Sequence, residues 1–407
     1  MTVKFFTFKG LKNASLSLML TSALLLASPN VVQAQNANTF FANETLQVDP
    51  ATQTKDDVRR MTSSMETLPV TNNENEPKKL SASMNMISKS LYQGSLLPSE
   101  WEHFLRAYVM DTGRVVDNIN EVTHSESQGY GLLMAFMSND HTNFSRIWSF
   151  TQRELQVRDD GLLSWRWEAD AAPHITDVNN ATDGDILVAY ALLLAGSHWQ
   201  KPDYFEKGVQ LVEDISNTLI INHPDVGALL LPGRSGFDKE PLILNPSYWV
   251  DEAFVVFSQI DPEGPWIALL DSATPISTKT SLDNSQLPPD WIGLKKDGTF
   301  SFTEDFNNSF SYNSIRVPLY HIRGGRETHL LDMAKAMAEN TQDLDILNDP
   351  DPGYKAVAQL TSCVSGFDRT PIQSGRVQSS TYYGTVLELL SRSAARAFHP
   401  ECIRRAP

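Results

Sequence analysis

The chain has 407 residues, 41% of them hydrophobic and 20% charged, which is ample for a packed core in one large domain or two ordinary ones. Its 49 acidic residues outnumber its 33 lysines and arginines, and the formal charge is −16. That balance argues against a nucleic-acid partner, because no basic stripe is available to neutralise phosphates; it is indifferent to a neutral polymer and mildly favours a cationic one, such as a deacetylated amino-sugar polymer.

Residues 1–34 read as a signal peptide. Lys4, Lys9 and Lys12 give a positive start, Leu16 to Ala27 is apolar, and Val32-Gln33-Ala34 fits a small-x-small cleavage site. The apolar run is short for a bilayer span of roughly 20 residues. The expectation is an exported chain, periplasmic or secreted, with no membrane insertion of its mature part. Residues 35–82 are rich in Asn, Thr, Gln and Glu without a sustained apolar period. Such a composition cannot offset the entropy of ordering, so a disordered tether is expected there.

Residues 83–400 are expected to form one domain, with 401–407 as a short tail. Helix-like stretches dominate, near 97–109, 127–138, 142–155, 185–199, 203–219, 247–258, 312–322, 327–339, 353–363 and 380–396. Strand-like alternation is sparse. The stretch 185–199 (DILVAYALLLAGSHW) is apolar nearly all round, as in a helix buried on every side. The next is amphipathic, with Phe205, Val209, Val212 and Ile215 three or four apart. A buried helix followed by a half-exposed one suggests two concentric helical layers, an all-α architecture that ten to twelve helices could close into a barrel.

Three motifs carry candidate chemistry. In Ser125-Glu126-Ser127-Gln128-Gly129-Tyr130-Gly131 a carboxylate precedes the apolar run LLMAFM. A capping acid would explain it, since helix N-termini favour negative charge, but the flanking glycines suggest a close backbone approach beside an aromatic. Ala181-Thr182-Asp183-Gly184-Asp185 opens the buried helix. One acid or Thr182 would suffice as a cap; two acids around a glycine suggest a place where charge is wanted. In Phe310-Ser311-Tyr312-Asn313-Ser314-Ile315-Arg316, the arginine could hold a nearby carboxylate in a bidentate pair. Aromatics lie in loops beside these acids: Trp165 and Trp167, Tyr248 and Trp249 after Asn245-Pro246-Ser247, Trp291 after Asp290, and Tyr382-Tyr383. Any one of them could be core, but together they suit flat sugar rings. Cys363 and Cys402 could pair or stay as buried thiols. Nothing in the sequence indicates a metal or organic cofactor.

These motifs resemble glycoside hydrolase family 8, a bacterial group of endoglucanases, lichenases and chitosanases. The resemblance runs over most of 85–400. The family's Ser-Glu-Gly-x-x-Tyr-Gly motif matches Ser125 to Gly131 with Ser127 in place of Gly, and its Ala-Ser/Thr-Asp-Ala/Gly-Asp signature matches Ala181 to Asp185. The resemblance implies an (α/α)6 barrel and an inverting cut of a β-linked polysaccharide, cellulose-like or mixed-linkage. It also implies Glu126 as general acid, Asp183 as the acid that holds the sugar at the cleavage point, and Trp165, Tyr248, Tyr312, Arg316 and Tyr383 as site-lining residues. There is one departure. Many members carry Asp, their general base, where this chain has Asn313, and an amide cannot take a proton from water at neutral pH. Members with Asn there, the chitosanase-like subgroup among them, use a Glu from a loop just upstream. In this chain that loop is Thr303-Glu304-Asp305-Phe306-Asn307-Asn308, which makes Glu304, or failing that Asp305, the expected base. The rival expectations are a chitosanase on the same scaffold, or a non-catalytic glucan-binding protein serving a polysaccharide synthesis or export assembly.

Overall fold

The computed structural model describes Met84, residues 92–283 and residues 285–404. The expected signal peptide and tether lie outside the described residues. Twelve α-helices are found among those described, and they form the expected (α/α)6 barrel.

The inner wall follows from sequence runs with no polar face. Helices α2 (Ser125–Met137) and α4 (Thr182–His198) are buried along nearly their whole lengths, as are α8 (Arg316–Arg323) and α12 (Tyr382–Phe398). Between them lies α6 (Asp251–Ile260), entered through a single 3-10 turn at Pro246–Tyr248. The outer helices α1 (Pro98–Tyr108), α3 (His141–Glu154), α5 (Pro202–Leu219), α7 (Trp266–Thr278) and α9 (Leu330–Glu339) alternate apolar and polar residues. Each therefore buries one side and leaves the other in water. A one-turn helix, α10 (Asp345–Asn348), leads to α11 (Pro352–Ser365).

Close approaches between helix ends fix the directions. A Cβ on Gly184 would lie 2.1 Å from Ser125 Oγ and 2.7 Å from the Glu126 nitrogen, so α2 and α4 start side by side. A Cβ on Gly353 would lie 2.0 Å from the Gly384 carbonyl oxygen, which places the starts of α11 and α12 together. Outer helices run the other way: Glu100 in the first turn of α1 meets Arg392 and Arg396 near the end of α12. Glu100 is fully buried, and both its oxygens are taken, one by Arg392 at 2.9 Å and Arg396 at 2.6 Å, the other by Arg396 at 2.7 Å and the Leu97 N–H at 2.9 Å.

Four of the twelve helices depart clearly from the sequence expectation: the one-turn α10 falls in no expected stretch, α6 begins at 251 rather than 247, and α7 and α8 differ as follows. Helix α7 falls in none of the expected helical stretches; Pro265 precedes it and Pro275 sits inside it. A proline lacks the N–H for its i−4 partner and usually interrupts a helix, yet here burial of Trp266, Leu269, Ala273 and Ile276 holds the turn. Helix α8 begins at Arg316 rather than 312, since residues 311–315 form a turn gripped by Asp290. Eight short strands form three small sheets at the loops. In the first, β1 (Val122–His124) pairs with β2 (Arg166–Glu168), then β3 (Ile175–Asp177). A second pairs β4 (Ile220–His223) with β5 (Gly227–Leu230), and a third orders β6 (Leu242–Leu244), β7 (Ile292–Leu294) and β8 (Phe300–Ser301).

The segment expected as a tail from 401 is in part packed. Cys402 is bonded to Cys363 of α11 through a 2.07 Å disulfide, and Ile403 bridges Ile372. Among the described residues no helix is long and apolar enough to cross a membrane, and no group of three or more His, Cys, Asp or Glu could hold a metal ion.

Candidate active site

The starts of α2, α4 and α8 converge on one guanidinium. Arg316, the first residue of α8, is 2% exposed and uses all five of its N–H groups. Nη1 donates to Glu126 Oε1 and, at 3.0 Å, to Asp183 Oδ2. Nη2 donates to Ser247 Oγ at 2.8 Å and Asn313 Oδ1 at 3.0 Å, while Nε reaches the Asn313 carbonyl at 3.4 Å. A rigid planar fork suits this role better than a flexible ammonium would.

Neither acid is spent as a simple cap. At the start of α2 it is Ser127 that accepts the His124 N–H at 3.0 Å, leaving Glu126 free to face Arg316. In α4, Thr182 donates to the Leu231 carbonyl at 2.7 Å, and Asp185 is consumed internally, accepting from the Leu163 N–H at 2.8 Å and Asn180 at 2.8 Å. Asp183 is left to the site. Gly184 makes the meeting possible, because any side chain there would drive α4 off α2. Gly129 and Gly131 serve the barrel instead. A Cβ on Gly129 would lie 2.5 Å from Leu187 Cβ, and one on Gly131 2.6 Å from Val115. Tyr130 is fully buried below the site, its hydroxyl 2.5 Å from that of Tyr320. The close approach read from these glycines is therefore between parts of this chain.

The electrostatics separate the two carboxyl groups. Burial pushes the pKa of Glu126 up to about 8; Arg316 opposes the shift, and the Asp183 anion and a carboxyl–carboxylate hydrogen bond to Asp183 add to it. Glu126 keeps 18% of its side chain exposed against 4% for Asp183, so Glu126 is the one that can meet a substrate.

The aromatics fall into two groups. Trp165 sits beside the acid, its carbonyl accepting the Ser125 N–H at 3.0 Å, and its indole lies parallel to the His124 ring with centroids 5.7 Å apart. Tyr248 follows Ser247, burial and then Asp183 raise its hydroxyl's pKa, and Arg316 lies 5.9 Å from its ring centre. On the opposite side Tyr383 donates to the Tyr312 carbonyl at 2.5 Å, Tyr312 donates to Asp349 at 3.1 Å, and both rings flank Tyr354. Trp167 is packed away from them, under Arg114 and against Phe150.

Asn313 is oriented by chemistry. Arg316 can only donate, so the Asn313 atom facing it must be the amide oxygen, and the amide nitrogen turns away. Glu304 and Asp305 lie upstream on an exposed loop, and among the described residues neither makes a hydrogen bond or ion pair. The structure thus brings together Glu126, Asp183, Arg316, Asn313 and Tyr248, but does not bring Glu304 into contact with them. Ser247 and Asp290 were missed by sequence reasoning. Ser247 stands in the quoted Asn-Pro-Ser-Tyr stretch, but nothing local marks its hydroxyl as an arginine partner 69 residues away.

Comparison with known proteins identifies the family. Residues 76–396 match the model of the glycosyl hydrolases family 8. A probable endoglucanase of Novacetimonas hansenii is 35% identical over 224 residues, 54% of this chain and 65% of that protein, so the chain spans less than two thirds of that relative's length. The endoglucanase of Salmonella typhi is 29% identical over 318 residues, 72% of this chain and 85% of that one. Among solved structures, the endo-β-1,4-glucanase CMCax of Acetobacter xylinum superposes with a TM-score of 0.66 at 30% identity, covering 75% of this chain and 98% of that one.

Proposed function

Because the chain belongs to family 8 of the glycosyl hydrolases, we propose that it cuts internal β-1,4 bonds of a cellulose-like or mixed-linkage glucan with inversion, Glu126 donating the proton. The observation that carries this reading is the shared guanidinium. Glu126 and Asp183 share Arg316, and burial favours the protonated form of Glu126. An acid held protonated near neutral pH is what departure of a sugar alkoxide requires. Asp183 and Tyr248 would hold the sugar at the cleavage point, with Trp165 on one side and Tyr312 and Tyr383 on the other.

Inversion also needs a base about 6.5–9.5 Å from the acid, with a water between base and anomeric carbon. Asn313 cannot serve, and the amide can only orient that water. Glu304 is assigned the role, with Asp305 as its substitute. Both are exposed on the loop that precedes Asn313, so the anion is available to water and could close on the bound chain. The disulfide Cys363–Cys402 supports an exported protein, since such bonds persist in oxidising compartments.

The test is release of reducing ends from carboxymethyl cellulose, mixed-linkage glucan and chitosan by wild type, Glu304→Gln and Asp305→Asn. Wild type is expected to cut a β-glucan and one loop variant to fall by at least about 100-fold. A preference for chitosan would move the substrate to a cationic polymer. No product from any of the three would instead favour a binding protein, the reading that Asn313 motivates.

A further inference from the structure

The loop assigned to water activation is fastened by a side chain that takes no part in the reaction. Asp290, 3% exposed, stands just before β7. Its Oδ1 accepts the N–H groups of Ser311 at 3.2 Å, Asn313 at 3.0 Å and Ser314 at 2.8 Å, and the Ser314 hydroxyl at 2.8 Å. Its Oδ2 accepts Asn307 Nδ2 at 3.1 Å. The Asn307 amide cannot be reversed freely, because its oxygen accepts the Ser309 N–H at 3.1 Å. The backbone repeats the link: the Asp290 N–H donates to the Ser309 carbonyl at 2.9 Å and the Trp291 N–H to that of Asn307 at 3.1 Å. The neighbouring Trp291 packs on Phe306 from the loop, ring centres 4.5 Å apart, and on Tyr248 from the site at 6.1 Å. One oxygen therefore grips the turn that ends in Arg316, and the other grips the loop that carries Glu304 and Asp305.

We propose that Asp290 is a positioning residue that yokes loop 303–309 to turn 311–316, so that the water-activating acid keeps a fixed separation from Glu126 and Arg316. The proposal rests on the reading that the base lies on this loop. A carboxylate is needed because it accepts at both ends; an amide accepts at one end only. In Asp290→Asn the amide oxygen stays with the three N–H groups of the turn, while its NH2 faces the Asn307 NH2, donor against donor. The turn survives and the loop loses its side-chain tie to residue 290, while the two backbone links and the Trp291–Phe306 contact remain, so it is loosened rather than detached.

The experiment compares wild type, Asp290→Asn, and the double variant Asp290→Asn with Asn307→Asp, which again sets a donor against an acceptor. Asp290→Asn is expected to lose about 10- to 100-fold in kcat, as misplacement by about 1 Å does, with KM nearly unchanged. The acidic limb of the kcat/KM profile, which reports the base, should move, and the alkaline limb set by Glu126 should stay. The double variant should regain most of the lost kcat. A residue that only supports the fold would lower the melting temperature and leave both limbs in place. Wild-type kcat and profile in a folded Asp290→Asn, or a folded double variant no better than the single one, would overturn the proposal. If Glu304→Gln and Asp305→Asn are both fully active, the base reading fails and the proposal with it. If one of those is inactive while Asp290→Asn is unaffected, only the proposal fails.

Discussion

The region of the proposed acid and the region of the proposed base are built in opposite ways. The acid side stands on the first turns of three inner helices, is nearly dry, and has every N–H of its central arginine in use. The other side is a loop between a two-residue strand and α8, with its two acids in solvent, tied down by the Asp290 side chain, two backbone hydrogen bonds beside it and the packing of Trp291 on Phe306. The roles proposed for the two carboxyl groups account for the difference. A proton donor needs a low dielectric to stay neutral at neutral pH, whereas a base must stay ionised and reach water. Burial serves the first need and defeats the second.

The largest expected effect breaks the acid side outright. Glu126→Gln should lower kcat by about 1,000-fold, within the range for a lost general acid, while circular dichroism and glucan binding stay intact. Arg316→Lys comes next. An ammonium has three donors where the site uses five, so Asp183 or Ser247 loses its partner, and kcat/KM should fall about 100-fold together with about 3 kcal/mol of stability, the cost of an opened buried pair. Gly184→Ala is milder: the added Cβ must push Ser125 and Glu126 away, at about 1–3 kcal/mol for overpacking, read as a lower melting temperature and weaker turnover together.

Two pH experiments sharpen the comparison. The alkaline limb of kcat/KM should fall near pH 8, where Glu126 loses its proton. In Asn313→Asp an anion is added beside Arg316, so that limb should move up by on the order of one pH unit. The smallest effect is on stability. The pKa of Glu126 is raised on folding, so its contribution is fully present below about 4.5 and is lost as pH rises through about 8. Glu126→Gln removes this titration, and its melting temperature relative to wild type should climb across that interval; a constant difference would contradict the raised pKa.

The same contrast explains what was legible in the sequence. Glu126 and Asp183 could be read because each opens a helix whose apolar run is unmistakable, and a glycine between two acids has few uses besides close approach. The inner wall was legible for a related reason: α4 has no polar face to hide. Helix α7 was not, since Pro275 gives a breaker signal that only the packing of Trp266 and its neighbours overrides. Asp290 was passed over as the residue before a tryptophan. Its partners lie 17 to 24 residues on, in a turn with no periodicity, so nothing local announces it. Asn313 told the reader what was missing but not where its replacement is anchored.

The buried Glu100 has a consequence for how the protein is made. A chain leaves the ribosome N-terminus first, and α1 therefore appears with a carboxylate whose countercharge at Arg392 follows 292 residues later. Until α12 is in place, α1 can settle on the growing barrel only by burying a carboxyl group without its arginine partners, which is costly. Closure of the ring is thus a late event that joins the first outer helix to the last inner one, and Tyr383 enters the site with it. A chain that stops short of α12 lacks both the partners of Glu100 and the Tyr383 contact with Tyr312.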